Sequence, residues 1–310
     1  MGICIIFVLF CHAKMDGADF SHFMLSALAF LDIGVDMFFL LSGIGIYFSV
    51  FNAERKGTYS YRSFIVKRLK RILIPYLILE TPFWLWYCVH NGYSPFYSIY
   101  YLSFASFWVE HIGLWFIALL LPLYFLSPAM LKLLRESDWW LLVLIIVPLV
   151  VSIFPNSIVQ SPYFEICNNI QRASSRIPCY VIGLWLGKKV LNEQSISLLW
   201  FALLFFLFIA MKYIPVVNTV YRGWMIAIIL SALLSQLLCT VNKTNDLMKP
   251  LLLFGKSTLY IYISYDVFKN IFLNIPLFGG GGKTFYFASI LVGIIVGIIY
   301  YYADEIVKRK

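Results

Sequence analysis

The sequence predicts an all-α membrane protein, a polytopic bundle of about ten transmembrane helices. Hydrophobic residues make up 62% of the 310 residues and charged residues only 13%, against about 45–50% and about 25% in soluble domains. Aromatic residues reach 19%, which suits a membrane protein because Trp and Tyr gather at both membrane interfaces. Apolar segments long enough to cross a bilayer core, about 20 residues each, recur along the chain.

The predicted spans follow one another from the N-terminus with short loops between them. They are 1–13, 33–51, 72–90, 112–131, 139–154, 177–191, 196–213, 222–241, 250–273 and 284–303. The longest polar stretches, expected as connections, are 13–32, 52–71, 91–111 and 155–176. Without an internal repeat or a soluble segment, we predict a single transmembrane domain over 1–310. The chain starts inside an apolar run, so we expect the first helix to be truncated at its N-terminus.

The basic residues predict the orientation. With the loops numbered alternately, Lys and Arg collect on one side, and the positive-inside rule places that side in the cytoplasm. An even number of spans then places both termini there, in a multi-pass protein of the cell (inner or plasma) membrane. The net charge of +9 is therefore attributed to topology and membrane lipids, and nucleic acid is not an expected partner. The six cysteines form no CxxC pair, so no metal site is predicted.

Ionisable residues within apolar segments are functional candidates, because each costs about 2.5–3.5 kcal/mol on insertion scales. Alternating topology places five of them at a similar level, toward the external half of the bilayer, which is what a single polar pocket requires. Structural alternatives stay open: interfacial positions for the histidines and the glutamate, a first-turn acid on its helix, and a snorkelling arginine. The five residues are His12, Asp36, Glu110, His111 and Arg176.

A basic segment over 61–75 precedes the third predicted span, and it contains Lys67, Arg68 and Arg71. Arg68 and Arg71 are three residues apart and Lys67 and Arg71 four apart, so the spacing puts them on one helix face. One interpretation is a topology determinant or a contact with anionic lipids. The other is a binding site for a phosphorylated cytosolic cofactor, because arginine presents paired donors to phosphate.

Four stretches carry recognisable motifs: GVDMFFLLSG at Gly34–Gly43, FIVKRLKRILIPY at Phe64–Tyr76, GLWFIALLLPLYFLSP at Gly113–Pro128 and RIPCYVIGLWLG at Arg176–Gly187. The last also holds the small-xxx-small pattern Gly183–Gly187, which predicts close packing inside the bundle. In order and over nearly the whole chain, these stretches resemble the acyltransferase-3 family of multi-pass membrane acyltransferases. The most specific motif is the second-helix Gly-Val-Asp followed by aromatics and Ser-Gly, and His12 matches the first-helix histidine of that family.

Two positions depart from the family pattern. Met1 stands where the pattern, an arginine ten residues before the histidine, places an arginine. Near the ninth span, Tyr265 stands where a histidine often falls, and Asp266 follows it. A tyrosine donates a hydrogen bond but is not a base near neutral pH. Both departures leave open a non-catalytic membrane scaffold, and the intramembrane charges leave open a transporter or flippase of a polar lipid.

The resemblance implies an O-acyltransferase with acyl-CoA, by default acetyl-CoA, as co-substrate, no bound cofactor, and a carbohydrate or lipid-linked sugar as acceptor. Histidine is the usual base for a hydroxyl nucleophile, which makes His12 the catalytic residue, with Asp36 orienting it as in a triad. The residues predicted to bind the donor are Lys67, Arg68 and Arg71. The residues predicted to bind substrate are Glu110, His111, Trp115 and Arg176.

Overall fold

The computed structural model describes residues 1–13, 18–152, 163–193, 197–211, 219–240, 248–274 and 282–309, and within these ranges the regular structure is helical throughout. The all-α class is confirmed. The helices are α1 (Gly2–Cys11), α2 (His22–Phe30), α3 (Ile33–Arg55), α4 (Tyr61–His90), α5 (Tyr97–Leu102), α6 (Ala105–Glu110), α7 (Trp115–Glu136), α8 (Trp139–Ser152), α9 (Phe164–Ser174), α10 (Ile177–Leu191), α11 (Leu198–Met211), α12 (Thr219–Thr240), α13 (Met248–Leu273) and α14 (Lys283–Arg309).

Each of the predicted apolar spans coincides with a helix over its described residues; positions 153–154, 196, 212–213 and 241 of these spans lie outside the described residues. Among the described residues, four helical segments are long and apolar enough to cross a membrane, and shorter apolar helices accompany them. These four segments are His22–Arg55, Tyr61–His90, Trp115–Glu136 and Lys283–Lys308. A membrane protein is therefore supported. The number of spans, the orientation of the termini and the particular membrane stay predictions.

The polar stretches between the predicted spans contain helices. They contain α2, α5, α6 and α9, and α4 begins at Tyr61, well before the predicted start at 72. The basic segment is helical because Lys and Arg are good helix formers. α2 starts at an N-cap, where the Ser21 hydroxyl oxygen accepts a hydrogen bond from the Met24 N–H at 3.3 Å, as N-cap serines do.

The chain divides into two compact units. The first unit comprises Met1–Gly34, Arg71–Ser106 and Thr240–Lys310, and the second comprises Val35–Lys70 and Phe107–Cys239. The single domain over 1–310 stays a prediction.

In the first unit, α13 and α14 form an antiparallel pair. Gly293 of α14 packs against the backbone of Tyr265, and Gly297, one turn later, packs against Ile261, one turn earlier. Contacts that run in opposite senses along the two helices require antiparallel axes. Glycine at these two positions lets the helix backbones approach closely. Tyr265 is consequently buried at 1% exposure.

In the second unit, α3 and α10 run side by side in the same direction. Gly43 packs on the backbone around Gly183, and Gly187, one turn later, packs on Tyr47, one turn after Gly43. Since the partners advance together along both helices, the axes are parallel. The predicted role of Gly183 and Gly187 in close internal packing is confirmed. Gly183 leaves no room for a Cβ atom beside the Leu40 carbonyl group.

Candidate active site

A buried ion pair forms the centre of the second unit. Asp36 lies in the first turn of α3 and Arg176 is the N-cap residue of α10, and their side chains are 0% and 4% exposed. The Arg176 guanidinium donates a hydrogen bond to Oδ2 of Asp36. Removing each ion from water costs several kcal/mol, so a buried pair is weak evidence for stability and a good indication of a retained role.

Trp115 completes this centre. It is the first residue of α7, and its ring centroid lies 5.8 Å from the guanidinium carbon of Arg176. Its ring also packs against Phe39 of α3, with centroids 6.5 Å apart. A guanidinium over an indole face is attracted by the ring quadrupole. The structure therefore brings three predicted site residues together, Asp36, Trp115 and Arg176, which we call the Asp–Arg–Trp cluster.

The parallel packing of α3 and α10 sets the register of the cluster. Gly43 and Gly183 lie two helical turns beyond Asp36 and Arg176 respectively, and the two glycines contact each other's helix. The glycine contact and the ion pair therefore require the same axial offset between α3 and α10. A shift of one helix along the other would break both contacts. The motif Gly34–Gly43 thus contains both the acid of the ion pair and the glycine of the helix contact.

The helix core beside the cluster contains a second polar pair. Ser127 of α7 donates a hydrogen bond to the Leu123 carbonyl oxygen at 2.6 Å. Its hydroxyl proton is thus used, so the Tyr180 hydroxyl, also 2.6 Å away, donates to the Ser127 oxygen. Tyr180 lies one turn beyond Arg176 on α10 and is fully buried. This bond ties α7 to α10.

His12 lies in the first unit, at the C-cap of α1. Its Nδ1 atom is 2.7 Å from the Val8 carbonyl oxygen. A carbonyl oxygen only accepts, so Nδ1 carries the proton and Nε2 of the neutral ring carries the lone pair. The ring packs edge-on against Tyr265, with centroids 5.6 Å apart. Tyr265, which replaces the histidine of the family pattern, thus serves as a packing partner of His12.

His111 is held in a third environment, between α6 and α7, with a positive φ of 61°. Asn169 Nδ2 donates to the Phe107 carbonyl oxygen at 2.9 Å, so its Oδ1 faces His111 Nδ1 at 2.7 Å and Nδ1 carries the proton. His111 Nε2 then accepts from Arg172 at 3.1 Å. Burial, and next the Arg172 charge, lower the pKa of His111 below its ordinary value of 6.5.

The remaining predicted site residues lie on α6 and α4. Glu110 ends α6 with its side chain exposed. Lys67 and Arg71 are exposed on α4, whereas Arg68 is half-buried. The Arg68 guanidinium carbon lies 5.7 Å from the Phe64 ring centroid and 5.9 Å from that of Tyr124 on α7. Of the predicted donor-binding set, only Arg68 is seated against aromatic rings.

A family model described as an acyltransferase domain, acyltransferase-3, matches residues 2–303. The chain belongs to the acyltransferase-3 family. The family prediction is confirmed, and the protein is a membrane acyltransferase. No curated protein and no solved structure matches it. The roles of the individual site residues stay predictions.

Sequence reasoning missed two polar groups of this acyltransferase. Glu80 lies in α4 between Pro75 and Pro82, is 1% exposed, and its Oε1 accepts no hydrogen bond from the part of the chain that the structure describes. Glu80 is an acid within a predicted span, and the same property marked Asp36 as a candidate. Asn169 is fully buried on α9, and the amphipathic spacing of that helix was the available signal.

Proposed function

We propose that the protein transfers an acyl group, by default acetyl, from acyl-CoA to a hydroxyl of a cell-envelope glycan or a lipid-linked sugar. The observation that carries the proposal is the Asp–Arg–Trp cluster, a desolvated cation held beneath an indole ring in a chain of the acyltransferase-3 family. Neither a scaffold nor a passive helix bundle needs such a pair, because apolar residues of similar volume are often as stable or more so.

The chemistry follows from the tautomer of His12. Nε2 accepts the proton of the acceptor hydroxyl as its oxygen attacks the thioester carbonyl carbon. The C–S bond breaks, and the CoA thiolate takes the proton from the imidazolium, which leaves an ester and a thiol. The Nδ1–H bond to Val8 at 2.7 Å holds the ring in the reactive tautomer throughout. A covalent acyl-imidazole route would use the same nitrogen as the nucleophile.

Arg176 is chemically suited to hold an oxyanion of the donor or the acceptor. A guanidinium that is already desolvated and held by a carboxylate costs no reorganisation when negative charge develops beside it. Asp36 accepts a hydrogen bond from that guanidinium, and the Trp115 ring centroid lies 5.8 Å from its carbon. The orientation of His12 by Asp36, as in a triad, stays a prediction.

In this proposal the donor runs along α7. Trp115 begins the helix, and Tyr124, under Arg68, lies about 13 Å further along at 1.5 Å per residue. Arg68 presents paired donors suited to the CoA phosphates. The pantetheine arm then lies along α7 between Arg68 and the cluster. Arg68 belongs to the basic segment on the side predicted to be cytoplasmic, so in this proposal the donor enters from that side.

The test is the replacement of His12 in purified protein. We expect His12→Ala to lower acyl transfer by at least about 10²-fold, the usual contribution of a general base. Release of the CoA thiol and mass spectrometry of the acceptor measure it. The matched control is His22→Ala, because His22 is also in the first unit but is exposed.

Two results would contradict the proposal. Full transfer activity in His12→Ala, with both variants present in the membrane at equal amounts, would remove the assigned base. Failure of the unmodified protein to consume acyl-CoA with any hydroxyl acceptor would favour a transporter of polar lipids or a scaffold.

A further inference from the structure

A cavity of about 450 Å³ lies between the C-terminal ends of α3 and α7, wholly within the second unit. Val50, Pro128 and Leu131 give it an apolar lining, and Tyr59 lines it as well. The volume lies within the range of about 300–1,000 Å³ that is usual for small-molecule sites. The proposed mechanism uses none of these residues.

The shape of the cavity depends on a turn and a brace. Gly57, with φ of 65°, ends α3 in the left-handed conformation, and Thr58 N–H donates back to the Ala53 carbonyl oxygen at 2.9 Å, as in a glycine C-cap. The turn brings Tyr59 back beside the helix end. Arg135 donates to both carboxylate oxygens of Glu54, at 2.9 and 2.8 Å, which ties the ends of α3 and α7 together.

The charges at the rim favour a neutral ring over a bare anion. Glu54 and Glu136 balance Lys132 and Arg135, and the bidentate pair already uses two of the five Arg135 donors. An apolar lining that includes a tyrosine suits a flat aromatic ring, since every nucleobase has a face that can pack on an aromatic side chain.

A series of ring contacts links Tyr59 of the cavity lining to Arg68. The Tyr59 ring centroid lies 6.5 Å from that of Phe64, and Arg68 lies over both Phe64 and Tyr124. Tyr124, Pro128 and Leu131 recur at four and three residues on α7, so they share one helix face. The rise from Tyr124 to Leu131 is about 10 Å. A ring in the cavity and a pyrophosphate at Arg68 are thus spaced as the two ends of one nucleotide.

We propose that this cavity binds the adenine ring of the acyl-CoA donor, with Tyr59 against the ring and Arg68 on the pyrophosphate. The inference rests on the proposed function and adds a nucleotide site to it. The donor then lies along one face of α7, with its base at the C-terminal end and its thioester toward the Asp–Arg–Trp cluster.

The experiment measures binding of adenosine 3′,5′-bisphosphate and of CoA to the full chain in zwitterionic nanodiscs by calorimetry. We expect Tyr59→Ala to weaken both about tenfold, within the range of base–aromatic stacking. Leu131→Phe, which fills the cavity, should do the same. The control is Tyr163→Ala, which removes an exposed tyrosine of the same unit at 64% exposure. Thermal unfolding of each variant verifies that it is folded.

A donor without the nucleotide separates a binding role from a structural one. With S-acetyl-pantetheine, KM should be the same in Tyr59→Ala and in the unmodified protein, whereas with acetyl-CoA it should rise about tenfold. An equal rise with both donors would overturn the inference. So would unchanged CoA affinity in both cavity variants, or a loss of affinity only in nanodiscs of anionic lipid, which would assign the region to lipid headgroups.

The failure of this inference is distinguishable from that of the proposed function. If the unmodified protein binds CoA and transfers acyl groups while the cavity variants bind CoA normally, only the nucleotide site is wrong. If the unmodified protein neither binds CoA nor consumes acyl-CoA, the proposed function is wrong and the nucleotide site falls with it.

Discussion

Two glycines on the same helix should respond oppositely to alanine. Gly43 packs on α10, and a Cβ there would lie 2.8 Å from the Leu184 nitrogen and 3.0 Å from the Gly183 carbonyl carbon. Those atoms are backbone and cannot turn aside as a side-chain end can. Gly45, two residues later, is exposed and has nothing within 4 Å of such a Cβ.

The magnitudes follow from these surroundings. Overpacking a tight contact costs about 1–3 kcal/mol, so Gly43→Ala should lower the free energy of unfolding by that amount. Gly45→Ala should raise it by about 0.5–1 kcal/mol, because alanine loses less backbone entropy than glycine in a helix. The two variants add the same methyl group, so their difference, about 1.5–4 kcal/mol, isolates the contact with α10.

The same substitution should affect activity, because Gly43 and Asp36 lie on one side of α3. Displacing the helices by about 1 Å costs up to about 10²-fold in rate when a catalytic group is misplaced. We therefore expect Gly43→Ala to lower acyl transfer at least about tenfold and Gly45→Ala to leave it unchanged. Unfolding in a denaturing detergent and acyl-CoA consumption are the assays. Equal stability and equal activity in the two variants would refute the proposed register.

Two further predictions concern charge. In a double-mutant cycle, the effects of Asp36→Asn and Arg176→Gln on the free energy of unfolding should be non-additive, with a coupling of about 1–3 kcal/mol. Additivity within about 0.5 kcal/mol would show that the pair does not interact energetically. Because His111 has a pKa below 6.5 in the folded protein, its contribution to stability should be complete above pH 6.5 and be lost as the pH falls below it. His111→Gln should remove this part of the pH dependence of the thermal midpoint, and an unchanged profile would contradict the assignment.

The sequence by itself determined the class and the family. Within the described residues each predicted apolar span is helical, and an apolar run of that length can be recognised from neighbouring residues alone. Asp36 and Arg176 were selected because an ionisable group in such a run is conspicuous in the chain itself, and Trp115 because it stands in a stretch that resembles the family.

Only the tertiary structure decided which of these groups meet. A helix that is apolar all round, such as α3, does not reveal from its pattern which face is buried against another helix. The contact between Asp36 and Arg176 joins residues 140 positions apart, and glycine packing sets its register. The separate environment of His111, with Asn169 of α9, and the cavity beside Tyr59 likewise arise from side chains that no local pattern connects.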